Sequence, residues 1–155
     1  MEPETLLTDV EFQPVPASAG KRFLNYLIDL IIFYLLCFLL GMLFAQQIYE
    51  MRAVSSEPAF TLKLELIALL VLILYYCVCE IVFKGRTIGK FITGTKAVNE
   101  DGTLIDANTA LLRTLSRIVP FEPFSAFSGR PWHDKWTHTY VIDIKKTEQN
   151  NFSIQ

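Results

Sequence analysis

The chain has little of what metal sites and disulfide frameworks are built from. Among its 155 residues are only three cysteines and two histidines. Cys37, Cys77 and Cys79 all fall inside apolar runs, which excludes a disulfide framework. Cys77 and Cys79 stand roughly 200° apart on a helix and cannot share a metal, so the cysteines read as small apolar filler. His133 and His138 flank Asp134 in a loop-to-strand segment without a third ligand, so neither metal nor cofactor is expected. No nucleophile sits beside a base at a readable spacing, and the glycines from Gly85 to Gly94 lack the spacing of a phosphate-binding loop. The expectation is therefore no enzyme. A net charge of −2 gives no basis for nucleic acid as a partner. The first twenty residues, with Glu2, Glu4, Asp9 and Glu11, lack the basic start and short apolar core of a signal peptide. The first apolar block is thus expected to be a retained anchor.

Charge is missing altogether from two long stretches, residues 30–45 and 66–79. The first contains eleven Leu, Ile or Phe residues. At about −0.3 to −0.6 kcal/mol each, these favour insertion into a bilayer by more than the roughly +3 kcal/mol that Asp29 costs. The expected fold is an α-helical integral membrane protein, a two-span transmembrane hairpin with spans at about 23–45 and 62–83. A third candidate, 107–127, is long enough to span. Arg113 and Arg117 would cost about 5–7 kcal/mol at mid-bilayer, however, and Pro120 and Pro123 break the helix. Leu111, Leu112, Leu115, Ile118 and Val119 instead trace one face of an amphipathic helix over about 108–119, lying on the membrane or against the spans.

Ten of the fourteen Lys and Arg residues follow the second block, and Lys21 and Arg22 precede the first. The loop 46–61 holds Arg52 alone. The positive-inside rule then puts both termini in the cytoplasm and the protein in the cell (inner) membrane. Beyond the spans, residues 93–98, 103–105 and 139–144 are β-rich, and Asn99 to Gly102 is a turn. They predict a small antiparallel sheet, to which Leu6, Thr8, Val10 and Phe12 would add an edge strand. Residues 1–20 form a cytoplasmic arm, and the polar tail 147–155 is expected to be loose.

The residues that carry chemistry are acids placed where lipid surrounds them. Asp29 lies seven residues beyond Arg22, on nearly the same helix face, with Asn25 within a turn of both. Ionisable groups at bilayer depth are costly and survive mainly where something uses them. Arg22, Asp29, Glu80 and Asp134 could therefore form one polar site in the cytoplasmic half of the membrane, suited to a proton or a hard cation. Asn25, Arg113 and Arg117 would support it. The same residues also fit purely structural pairing, with Arg22, Arg113 or Arg117 neutralising Asp29 and Asp134, and with Glu80 and Lys84 as a helix-end pair. Trp132 and Trp136 read as headgroup anchors.

Three stretches resemble the RDD family of small bacterial membrane proteins. They are Gly20-Lys-Arg22-Phe-Leu-Asn-Tyr-Leu-Ile-Asp29, then Glu80 with Gly85-Arg-Thr87-Ile-Gly89-Lys90 and Gly94-Thr-Lys-Ala-Val98, and finally Arg113 through Trp132-His-Asp134 to Ile142. The resemblance covers about residues 18–144 and points to a short bacterial subtype. Some relatives carry a hydrophobic third span where this chain is short and basic. The family implies fold and location; its molecular function is poorly defined, with transport the usual suggestion. Ion, proton or small-solute transport by a homo-oligomer is one expectation. A non-transporting accessory or scaffold role, with a partner membrane protein or anionic lipid, is the other.

Overall fold

The computed structural model describes residues 14–119, 125 and 130–153, so the expected edge strand over 6–12 lies outside the described residues. Helix α1 (Ala19–Leu43) begins where the Ser18 hydroxyl accepts from the Lys21 amide, and runs unbroken through the first apolar block. Helix α2 (Ala45–Val54) follows directly and fills most of the segment read as a loop. Helix α3 (Glu57–Val82) opens with a proline in its first turn, where a missing amide costs nothing. Both α1 and α3 are long and apolar enough to cross a membrane, and both start four or five residues before the expected spans.

The exit from α3 is set by two residues with positive φ, Lys84 (50°) and Gly85 (90°). A Cβ on Gly85 would stand 2.3 Å from the Ala97 carbonyl oxygen, so only glycine fits. The Gly85 carbonyl in turn accepts from the Ala97 amide at 2.9 Å, pinning the sheet to the end of the span. The chain then doubles back as α4 (Ile88–Thr93), capped by the Thr87 hydroxyl at its start and by Gly94 (φ 69°) at its end.

Strand β1 (Thr95–Asn99) pairs antiparallel with β2 (Thr139–Asp143), Thr95 facing Asp143 and Asn99 facing Thr139. The run at 103–105 supplies only an isolated bridge, Leu104 to Val98. Residues 15–17 lie along the far edge of β2, where Val15 and Ala17 exchange backbone hydrogen bonds with Asp143 and Val141. Pro16 sits between them at a position that needs no donor. Helices α5 (Ala107–Ser116), α6 (Trp132–Trp136) and α7 (Ile144–Ser153) complete the chain. The tail read as loose from Thr147 is helical through Ser153. Thr147 accepts from the Val15 amide at 3.0 Å, an anchor between distant residues that a local reading of a polar tail does not reveal.

The packing is inverted relative to a water-soluble protein. The buried residues of α1 are Asn25 and Asp29, while Ile31, Leu35, Phe38, Leu39 and Met42 are exposed. Among the described residues, the buried apolar cluster at the spans is Tyr75, Tyr76 and Cys79, with Ile32, Leu36, Leu72 and Ile88 packed around it. Exposed apolar surface on this scale calls for an apolar solvent. Helix α5 follows the same rule. The expected amphipathic pattern over 108–119 forms a helix only to Ser116, and its polar face, Ala110, Arg113 and Thr114, is the one turned to the interior.

Helix α4 seats on α1 through Gly89. A Cβ there would come within 2.5 Å of the Asn25 carbonyl oxygen and 3.0 Å of Asp29 Oδ1. Gly89→Ala is expected to destabilise the protein by about 1–3 kcal/mol through overpacking, read as a lowered melting temperature in detergent. Gly41→Ala, with open space around it, should leave that temperature unchanged or raise it slightly.

Candidate functional site

Asn25 and Asp29, four residues apart, share the face of α1 that meets α4. The Asp29 carboxylate is surrounded by donors that carry no charge. Tyr75 Oη donates to Oδ1 at 2.6 Å, Thr87 Oγ1 to Oδ2 at 2.7 Å, and the Gly89 amide to Oδ1 at 2.9 Å. Asp29 is 3 % exposed and forms no ion pair among the described residues. Asn25 extends this cluster towards the sheet. With its nitrogen turned to Thr93, it also donates to the Lys21 and Gly89 carbonyls, and its oxygen accepts from Thr95 at 2.9 Å.

Glu80 is surrounded in the opposite way. It is fully buried, and its Oε1 takes Lys90 Nζ at 2.7 Å and Arg117 Nη2 at 3.0 Å. Its Oε2 takes Arg113 Nε at 3.0 Å. Arg113, also fully buried, continues to Asp134 Oδ1 at 2.7 Å and to the Thr139 hydroxyl. Arg117 additionally lies over the Tyr76 ring, 4.7 Å from its centroid. Burial pushes the Lys90 ammonium below the usual lysine range, with Glu80 opposing that shift. Glu80 and Lys90 thus form a buried pair that each needs the other.

The four residues expected to form one site, Arg22, Asp29, Glu80 and Asp134, are therefore divided. Asp134 and Glu80 are joined through Arg113, whereas Asp29 stands in a separate, uncharged cluster. Arg22 does not pair with Asp29, and its charge is felt at His133 instead. Glu80 does not pair with Lys84, because the positive-φ turn after α3 carries Lys84 away and brings Lys90 back. The clusters meet at Thr87, whose hydroxyl donates to Asp29 and accepts from the Lys90 amide at 3.3 Å.

Sequence reasoning missed Tyr75, Thr87, Gly89 and Lys90. A threonine three residues before Lys90, opening an apolar turn after glycine, carries an N-cap signal. Tyr75 carries none, lying unmarked inside an apolar block. At the other end of the hairpin, an apolar cavity of about 460 Å³ between α1, α2 and α3 is lined by Leu40, Phe44, Ile48, Ile67 and Val71 among others. No charged residue lines it.

Two helices long and apolar enough to cross a membrane, with outward-facing hydrophobic surfaces and closed over buried acids, suggest a helical membrane protein. The chain belongs to the RDD family, whose model matches residues 16–142. No curated protein and no solved structure matches it.

Two outcomes test this electrostatic picture. Arg113→Met leaves buried Asp134 without its cation and Glu80 with two of its three; it is expected to cost about 3–5 kcal/mol, seen as loss of thermal stability or of accumulation in the membrane. The second concerns His133, which burial, reinforced by Arg117, Arg113, Lys90 and Arg22, holds well below the usual value of 6.5. The unfolded chain then binds a proton near pH 6.5 that the folded protein refuses until lower pH. The stability that neutral His133 contributes is complete above that pH and is lost as pH falls towards the folded value. Melting temperatures should decline on acidification from neutral pH, and His133→Gln should flatten the decline.

Proposed function

We propose that the protein is a two-span membrane protein, both ends cytoplasmic, that contributes to proton or small-cation transport as an oligomer. Asp29 is its exchangeable group. The observation that carries this reading is the contrast between the two buried acids. Glu80 is neutralised by three cations, whereas among the described residues Asp29 is held by hydroxyl and amide donors alone. An acid with fixed counter-cations is part of the framework, while one held by neutral donors has no fixed counter-ion, a place that a mobile proton or cation can take. Two helices cannot enclose a pathway, so several copies or a partner subunit must complete one.

The orientation rests on the Lys and Arg residues that crowd the polar end, Lys21, Arg22, Lys84, Arg86 and Lys96, against Arg52 and Lys63 at the other. The accessory or scaffold reading is favoured by one observation: most of the surface of α1 is uncovered and open to a partner helix.

Purified protein in liposomes, loaded with opposed proton and sodium or potassium gradients, tests the proposal. Flux is expected from wild type and should vanish in Asp29→Asn of unchanged oligomeric state; Tyr75→Phe and Thr87→Val should reduce it. A well-folded wild type without flux under gradients of either sign overturns the transport reading in favour of the scaffold.

A further inference from the structure

We infer that α5 is embedded in the bilayer, with Leu111, Leu112 and Leu115 in contact with lipid acyl chains and its polar face closing off the Glu80–Arg113–Asp134 cluster. The inference rests on the reading that α3 spans the membrane. Two independent observations carry it.

The first is polarity. A helix lying in water under a membrane protein hides its leucines and shows its charges. Here Arg113 and Thr114 are buried at 0 % and 1 % exposure, while Leu111, Leu112 and Leu115 are 43–55 % exposed. The exposed polar residues Asp106 and Asn108 are confined to the start of the helix, so it enters from the water side and submerges its second half.

The second is depth. Arg113, Thr114 and Arg117 meet α3 at Glu80, Cys77 and Tyr76. On the same helix, Ile81, Val82 and Phe83 remain 43–62 % exposed, so the apolar layer reaches at least to Phe83. Cys77 lies about 9 Å inside that limit at 1.5 Å per residue, and the helix beside it is inside as well. The outward leucines of α5 therefore continue the apolar surface of α3 at the same level.

Acyl chains fit this face better than a second copy does. A stable interface needs about 800 Å² per partner. Three half-exposed leucines alone fall well short of that area, and the level they share with the exposed apolar side chains of α3 puts acyl chains against them. With lipid on one side and α3 on the other, the Glu80 cluster has no route to water through α5, and its ion pairs keep the strength of a low-dielectric setting.

Footprinting of the full chain in liposomes tests the inference, using a lipid-soluble photoreactive diazirine and a water-soluble one, read by peptide mass spectrometry. The lipid-soluble reagent should label Leu112 as strongly as Leu35 and Leu39 of α1, and several-fold above the water-soluble reagent at the same site. Labelling of Leu112 by the water-soluble reagent at the level of exposed Leu104 overturns it. So does protection from both reagents that is lifted when the oligomer is dissociated, which assigns the face to a second copy. If Leu35 and Leu70 escape the lipid-soluble reagent, the span reading fails instead.

Discussion

The structure depends on the compensation of one carboxylate. Glu80 sits two residues before the end of an apolar helix, fully buried, in a setting where an unpaired negative charge would cost several kcal/mol. Its three cations come from outside α3. Lys90 arrives on α4, and Arg113 and Arg117 on and just after α5. The chain must fold back twice to deliver them. The reverse turn at Gly85, the seating of α4 on α1 and the docking of α5 against α3 are all ways of bringing positive charge to one point. Arg113 then passes the constraint to Asp134 and Thr139, and so to α6 and β2.

Asp29 organises the other half by a different principle. Hydroxyls and an amide from Tyr75, Thr87 and Gly89 satisfy its oxygens without a counter-charge, which needs close approach and exact angles more than long cationic arms. Gly89 provides the approach, since any side chain would meet the backbone of α1. The two acids thus use one short helix, α4, in two ways: its first turn presents hydrogen-bond donors, and its lysine presents charge.

The two long apolar helices, the small antiparallel sheet and the burial of Asp29, Glu80 and Asp134 were legible because they rest on local patterns of charge and hydropathy. What was not legible depends on the chain doubling back. Nothing in the spacing of Glu80 and Lys84 announces that the partner is Lys90, because the positive φ at Lys84 is a backbone event without a side-chain signature. The helical tail depends on Thr147 meeting Val15, far apart in the chain. The direction of α5 was open for a related reason. Its pattern defines two faces but not which one meets protein, and Glu80 decides by pulling Arg113 inward. Arg22 was grouped with Asp29 on spacing alone, which fixes a shared face and not a shared contact.

The donors to Asp29 and Asn25 all come later in the chain, which gives the fold a history. Tyr75, Thr87, Gly89 and Thr95 follow their partners on α1 by 46, 58, 60 and 70 residues. A ribosome adding about 5–20 residues per second therefore makes α1 some seconds before its buried carboxylate has anything of its own to bond. During that interval Asp29 lacks the donors that surround it in the folded protein. The set of donors around Asp29 is complete only once the Gly85–Gly94 segment has been made and closed over it.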